Sequence, residues 1–80
     1  GFDCEASAQF NLGVMYYKGE GVLQDYATAY AWWNIAAANG DEDAKKNKGI
    51  VAKKMTTEQI AEAEALVKEM LKKNPKLLNK

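Results

Sequence analysis

The 80-residue chain has no histidine and no arginine, a single proline (Pro75) and a single cysteine (Cys4). Without histidine there is no Ser-His-Asp or Cys-His nucleophile, no histidine metal site and no side chain whose ordinary pKa lies near neutrality. One cysteine forms no internal disulfide and supplies no zinc ribbon, so the fold must rest on its core. No long apolar run exists either: the most apolar stretch, residues 27–38, is 12 residues with Thr28 and Asn34 inside it, against the roughly 20 that a membrane-spanning helix needs. These absences argue against an enzyme, and no motif calls for a cofactor or a metal ion.

What is present is 48% apolar and 28% charged, the balance of a small globular domain. The formal charge is zero, but it divides along the chain. Residues 1–43 hold seven acids and one lysine, a net charge of −6, and residues 44–80 hold ten lysines and four glutamates, a net charge of +6. A neutral total therefore conceals two opposite local fields.

Caps and periodicity predict four helices and no strand. The first covers about residues 3–18, with Ala8, Leu12, Met15 and Tyr16 spaced as one buried stripe, and ends at Gly19-Glu20-Gly21, where positive φ is tolerated. The second starts after Asp25, a good N-cap, and ends at Asn39-Gly40. Its apolar residues run nearly all round, so it requires neighbours on more than one side. The third opens at Asp41, with Glu42 and Asp43 suited to the positive end of the helix dipole. It carries Gly49 at mid-helix, which costs up to about 1 kcal/mol relative to alanine and implies a packing reason. The fourth opens on the capping box Thr56-Thr57-Glu58-Gln59, is supported by Glu64–Lys68 and Glu69–Lys73 spacings, and stops at Asn74-Pro75. Residues 75–80 read as a frayed tail.

Shifting the chain by 36 residues pairs Ala8 with Ala44, Asn11 with Asn47, Gly13 with Gly49, Lys18 with Lys54, Ala27 with Ala63 and Ala29 with Ala65. A helix pair repeated at this period indicates an α-solenoid. Within it, Ala8, Leu12-Gly13, Tyr16, Gly19-Glu20-Gly21-Val22 and Asp25, followed by Ala29, Trp32, Ala36-Ala37 and Gly40, fill the frame A-x-x-x-L-G-x-x-Y-x-x-G-x-G-V-x-x-D without a gap. On these residues the chain resembles the Sel1-like repeat proteins, relatives of the tetratricopeptide repeats. Residues 3–40 resemble one complete repeat and residues 41–74 a degenerate closing repeat. There Lys48 stands at the Leu position, Ala52 at the Tyr position, and the Gly-x-Gly loop shrinks to Lys54-Met55-Thr56. The resemblance implies an all-α, tetratricopeptide-like solenoid fragment of four helices.

The resemblance further implies a non-catalytic protein- or peptide-binding module. In the tetratricopeptide relatives, first-helix positions pointing away from the pair line a concave groove. Carried over through Leu12, Gly13 and Tyr16, these fall on Phe10, Asn11, Val14, Tyr17 and Lys18, and in the second unit on Lys46, Asn47, Ile50 and Lys53. Asn11 and Asn47 can each donate to and accept from a peptide backbone, although an inter-helix hydrogen bond is an equal reading for Asn11. Phe10 and Tyr17 offer flat apolar anchors, and the lysines can meet a carboxylate. Trp32 matches a packing position of the repeat and is expected in the core. Adjacent Trp33 points about 100° away, toward either a preceding repeat, a partner or a second copy of the chain.

Other readings are weaker. Gly19-x-Gly21 lacks the strand and the Gly-Lys-Ser/Thr continuation of a phosphate loop, and Asp41-Glu42-Asp43 lacks the twelve-residue calcium pattern. The lysines at 45, 46, 48, 53 and 54 include no arginine and no interleaved aromatic residue, so they read as a solvated face rather than a nucleic-acid or membrane surface. The alternative to a binding module is a structural scaffold, a self-assembling fragment of a longer repeat protein, because two units leave exposed ends. Head-to-tail contacts would then pair the acidic half with the basic half. By analogy with the family, the setting is bacterial, periplasmic or secreted rather than cytoplasmic.

Overall fold

The computed structural model describes residues 4–78, so Asp3 and residues 79–80 lie outside the described residues. It contains α1 (Cys4–Lys18), α2 (Tyr26–Ala38), α3 (Glu42–Ala52) and α4 (Thr57–Lys73), followed by a 3-10 turn at Pro75–Leu77, with no strand among the described residues. The helix starts are the expected ones. The Asp25 carboxylate accepts from the amides of Ala27 and Thr28 at 3.0 and 3.3 Å, and the Asp41 carboxylate accepts from the Ala44 amide at 2.8 Å. At Thr56 both halves of the capping box form: the Gln59 amide donates to Thr56 Oγ1 at 3.1 Å, and the Thr56 amide donates to Gln59 Oε1 at 2.8 Å. Each of these occupies first-turn N–H groups that the helix itself leaves without partners.

The reversals also follow from the residues present. Gly19 and Gly21 adopt φ of 76° and 75°, and Gly40 adopts 101°. Gly40 occupies the left-handed position of a Schellman ending, in which the Asp41 amide donates to the Ala36 carbonyl and the Gly40 amide to the Ala37 carbonyl. Three residues of connection, Asn39, Gly40 and Asp41, therefore suffice to turn α2 into α3.

As its apolar circumference demanded, α2 is the central helix and packs on α1, α3 and α4. The main core cluster takes Ala29, Tyr30, Trp33 and Ala36 from α2, Ala44 and Val51 from α3, Met55 beyond α3, and Ala63 from α4. The small residues let helices approach, and the two large rings fill the space between them. Burial raises the pKa of the Tyr30 phenol above its ordinary value, and the nearby Glu64 carboxylate raises it further.

Three expectations are corrected. The two tryptophans exchange roles: Trp33 is the core residue at 2% exposure, whereas Trp32 is half-buried. The cause lies at Gly13. A Cβ there would stand 2.3 Å from Trp33 Nε1, so the indole occupies the space a side chain would take, and its N–H donates to the Phe10 carbonyl at 3.0 Å. Seating that ring selects the buried face of α1, which is Ala6, Gln9 and Gly13 rather than the stripe through Ala8, Leu12, Met15 and Tyr16. Ala8 is exposed and the other three are half-buried.

The tail is the second correction. Residues 75–77 form a helical turn whose Leu77 carbonyl accepts from Gln9 Nε2 at 2.9 Å and from Asn39 Nδ2 at 2.7 Å. Asn39 Nδ2 also donates to Gln9 Oε1 at 2.8 Å. Gln9 is 5% exposed, and this network satisfies an amide that would otherwise be costly to bury. The third concerns charge pairs. The 64–68 and 69–73 pairs of α4 do not close, and the ion pair among the described residues is Lys45–Glu42 at 3.5 Å, an exposed contact of little energetic weight.

Candidate functional site

The first helices of the two units, α1 and α3, flank a cavity of about 260 Å³ whose lining residues are Val14, Tyr17, Lys18, Trp33, Asn47 and Ile50. Trp33 reaches it from α2 and belongs to an aromatic cluster. Tyr17 lies 5.5 Å from the Trp33 ring at an interplanar angle of 42°, and stacks on Tyr26 at 5.4 Å and 23°. Phe10 also stacks on Trp33, at 6.2 Å and 29°. Packed against these neighbours, Tyr17 and Trp33 present a tilted aromatic wall to the cavity.

The opposite wall comes from α3. Ile50 is 46% exposed, a large apolar side chain turned outward beside the Asn47 amide. Lys18 supplies a cation at the rim, and no carboxylate lines the cavity. Just outside, Lys54 holds its ammonium 5.4 Å above the centroid of the Tyr17 ring. The neighbouring Tyr17 phenol, and then Tyr26, raise the Lys54 pKa above its ordinary value. The arrangement is an apolar slot with one neutral hydrogen-bonding amide and positive charge around it.

Of the nine groove residues expected from the sequence, Val14, Tyr17, Lys18, Asn47 and Ile50 line this one cavity. Phe10 is half-buried against Trp33 and does not line the cavity, and Asn11, Lys46 and Lys53 are exposed outside it. Among the described residues Asn11 makes no inter-helix hydrogen bond. Trp33 is corrected from a partner or self-association surface to the buried floor of the slot. Sequence reasoning missed that floor and the Lys54–Tyr17 contact. The available signal was Gly13, whose missing side chain leaves the space that the Trp33 indole occupies.

A second cavity, of about 420 Å³, lies where α1 and α2 meet the tail, lined by Ala8, Gln9, Leu12, Trp32 and Leu77 among others. Of the apolar stripe expected on α1, Ala8 and Leu12 face it. Among the described residues no group of His, Cys, Asp and Glu could hold a metal ion, and no helix is long and apolar enough to cross a membrane.

Comparison with known proteins agrees with this geometry. The family model of the Sel1 repeat matches residues 6–41, the span from the buried face of α1 through the Schellman ending of α2. No curated protein matches the chain. Among solved structures, the crystal structure of c5321, a protective antigen present in uropathogenic Escherichia coli strains and displaying an SLR fold, superposes with a TM-score of 0.80 at 36% sequence identity. The alignment covers 91% of this chain and 16% of that one, so the chain spans about one sixth of the length of the structure it matches.

Proposed function

Since the chain belongs to the Sel1-like repeat proteins, whose repeats are generally non-catalytic protein-interaction modules, we propose that it binds an extended peptide segment of a partner protein in the slot between α1 and α3. The observation that carries this reading is the convergence of Val14, Tyr17 and Lys18 from the first unit with Asn47 and Ile50 from the second on one cavity. An apolar peptide side chain would enter against Tyr17, Trp33 and Ile50. The Asn47 amide would bond the peptide backbone, donating to a carbonyl and accepting from an N–H. The surrounding lysines favour a segment carrying acidic residues beside its apolar anchor.

The test is selection from a displayed library of random ten-residue peptides, followed by affinity measurement on variants. Ile50→Glu and Asn47→Ala alter exposed or rim side chains and leave folding intact. The selected peptides are expected to bind each variant at least tenfold more weakly than the unaltered chain. Equal affinity for both variants would overturn the assignment.

A structural role as a scaffold within a longer repeat array is the second reading. It is favoured by the cavity at Ala8, Leu12 and Trp32, where family packing positions remain half-open. Assembly through that face predicts a sedimentation coefficient that rises with protein concentration, and a Trp32→Lys variant that stays monomeric.

A further inference from the structure

The two units offer an internal comparison, because Gly13 of α1 and Gly49 of α3 are equivalent under the 36-residue shift. At Gly13 the missing side chain is replaced by the Trp33 indole, whose atoms lie 2.3–2.8 Å from where a Cβ would stand. At Gly49 a Cβ would meet nothing within 4 Å. The residue of α4 in the register of Trp33 is Glu69, which is exposed and supplies no ring. The fold thus keeps a glycine at mid-helix, at a cost of about 1 kcal/mol relative to alanine, with no intramolecular neighbour that requires it.

The space beside Gly49 is a cavity of about 460 Å³ between α2 and α3, lined by Tyr30, Asn34, Ala37, Lys45, Lys48 and Ala52 among others. Its chemistry is distinctive. Lys48 is half-buried, at the position where the first unit has Leu12, and among the described residues it has no carboxylate at ion-pair distance. Its ammonium instead donates to Asn34 Oδ1 at 3.4 Å and lies 5.6 Å from the centroid of the Tyr30 ring. Lys45, on the same wall, is engaged by exposed Glu42. A half-buried ammonium held by an amide oxygen and a ring face gains more from an incoming carboxylate than a solvated surface lysine does.

We propose that this cavity is a second binding site, which takes an aromatic side chain flanked by a carboxylate from a partner protein. The ring enters against Gly49, as Trp33 enters against Gly13, with the Ala37 and Ala52 side chains beside it, and the neighbouring carboxylate pairs with Lys48. The site lies on the α2–α3 face rather than in the α1–α3 slot, and does not depend on the peptide reading of that slot.

The experiment uses amide-resolved NMR titration of the full chain with an acetylated peptide, Asp-Glu-Trp-Asp. Saturable shifts are expected at Asn34, Lys48, Gly49 and Ala52, with binding at least fivefold weaker when the tryptophan is replaced by alanine or the acids by lysine. Gly49→Leu fills the space with the chain's own side chain and should lower affinity at least tenfold. Gly49→Ala, which cannot impair folding by a clash, should lower it several-fold. Lys48→Gln should abolish the preference for acidic flanks while leaving the tryptophan preference. Leu23→Ser, at an exposed side chain that lines neither cavity, should change nothing. No saturable shift, shifts centred on Val14 and Ile50, or unchanged affinity in both glycine variants would overturn the proposal. So would shifts of the same amides with protein concentration alone, which would place a second copy of the chain in the cavity.

Discussion

The equivalent glycines make opposite predictions for one substitution. In Gly13→Ala the new Cβ would stand 2.3 Å from Trp33 Nε1, 2.4 Å from Cδ1 and 2.8 Å from Cε2, well inside ordinary contact. The indole must retreat, and in doing so it loses its hydrogen bond to the Phe10 carbonyl, now 3.0 Å. Overpacking of this kind costs about 1–3 kcal/mol, and the lost hydrogen bond about 1 kcal/mol. Better helix propensity returns about 1 kcal/mol, leaving a net destabilisation of about 1–3 kcal/mol. In Gly49→Ala the propensity gain stands alone, because the Cβ meets open space, and stability should rise by about 1 kcal/mol. For a domain of this size each kcal/mol moves the thermal midpoint by roughly 4–8 °C. Urea and thermal unfolding followed by circular dichroism give both signs directly, provided the urea m-value is unchanged. Two variants shifted in the same direction would refute the account of why each glycine is there.

Other perturbations follow from named contacts. Trp33→Ala should cost about 3–5 kcal/mol, the range for a large ring removed from a core, whereas Trp32→Ala should cost less than half as much; chemical denaturation of each separates them. The same assignment predicts that acrylamide quenches the fluorescence of Trp33→Phe, which retains Trp32, more strongly than that of Trp32→Phe. Asp25→Ala removes the carboxylate that accepts from the Ala27 and Thr28 amides and should cost about 1 kcal/mol by urea unfolding. For Tyr30, the folded-state pKa lies above the ordinary value of 10.0 because of burial and then Glu64. The unfolded chain therefore releases this proton first as pH rises. Stability from the neutral phenol is complete below pH 10 and falls as pH climbs from there toward the folded-state value. Tyr30→Phe should flatten that part of the pH–stability curve, and an unchanged slope would contradict it.

Helix number, caps and stops were legible in the sequence because each depends on a few adjacent residues. Asp25, Asp41, the Thr56–Gln59 box and Gly40 act locally and leave short signatures. The rotational setting of α1 was not legible. Periodicity finds the most apolar stripe, here Ala8, Leu12, Met15 and Tyr16, but the face that is buried follows from where the Trp33 indole fits, a contact across 20 residues. The same limit explains the exchange of Trp32 and Trp33, since neighbours on a helix that is apolar all round carry no pattern to tell them apart. Five of the slot residues could be located because they inherit their positions from a repeat frame. The cavity at Gly49 could not, since it depends on which side chains of α2 face α3 across it. The order of the tail was equally hidden, because its bond to Gln9 spans 68 residues.

That last contact changes how the molecule should come apart. In a linear repeat array each unit touches only its neighbours, so an end unit can melt while the rest persists. Here the carbonyl of Leu77 is bonded to Gln9 in the first helix and to Asn39 between the units, so the chain's last turn is held by its first. Neither unit can open without breaking that bridge, which couples them into one cooperative unfolding step. Amide protons of α1 and α4 should then exchange at similar free energies. Cutting the bridge with Gln9→Ala, or removing residues 75–80, should let the weaker α3–α4 unit open ahead of α1–α2.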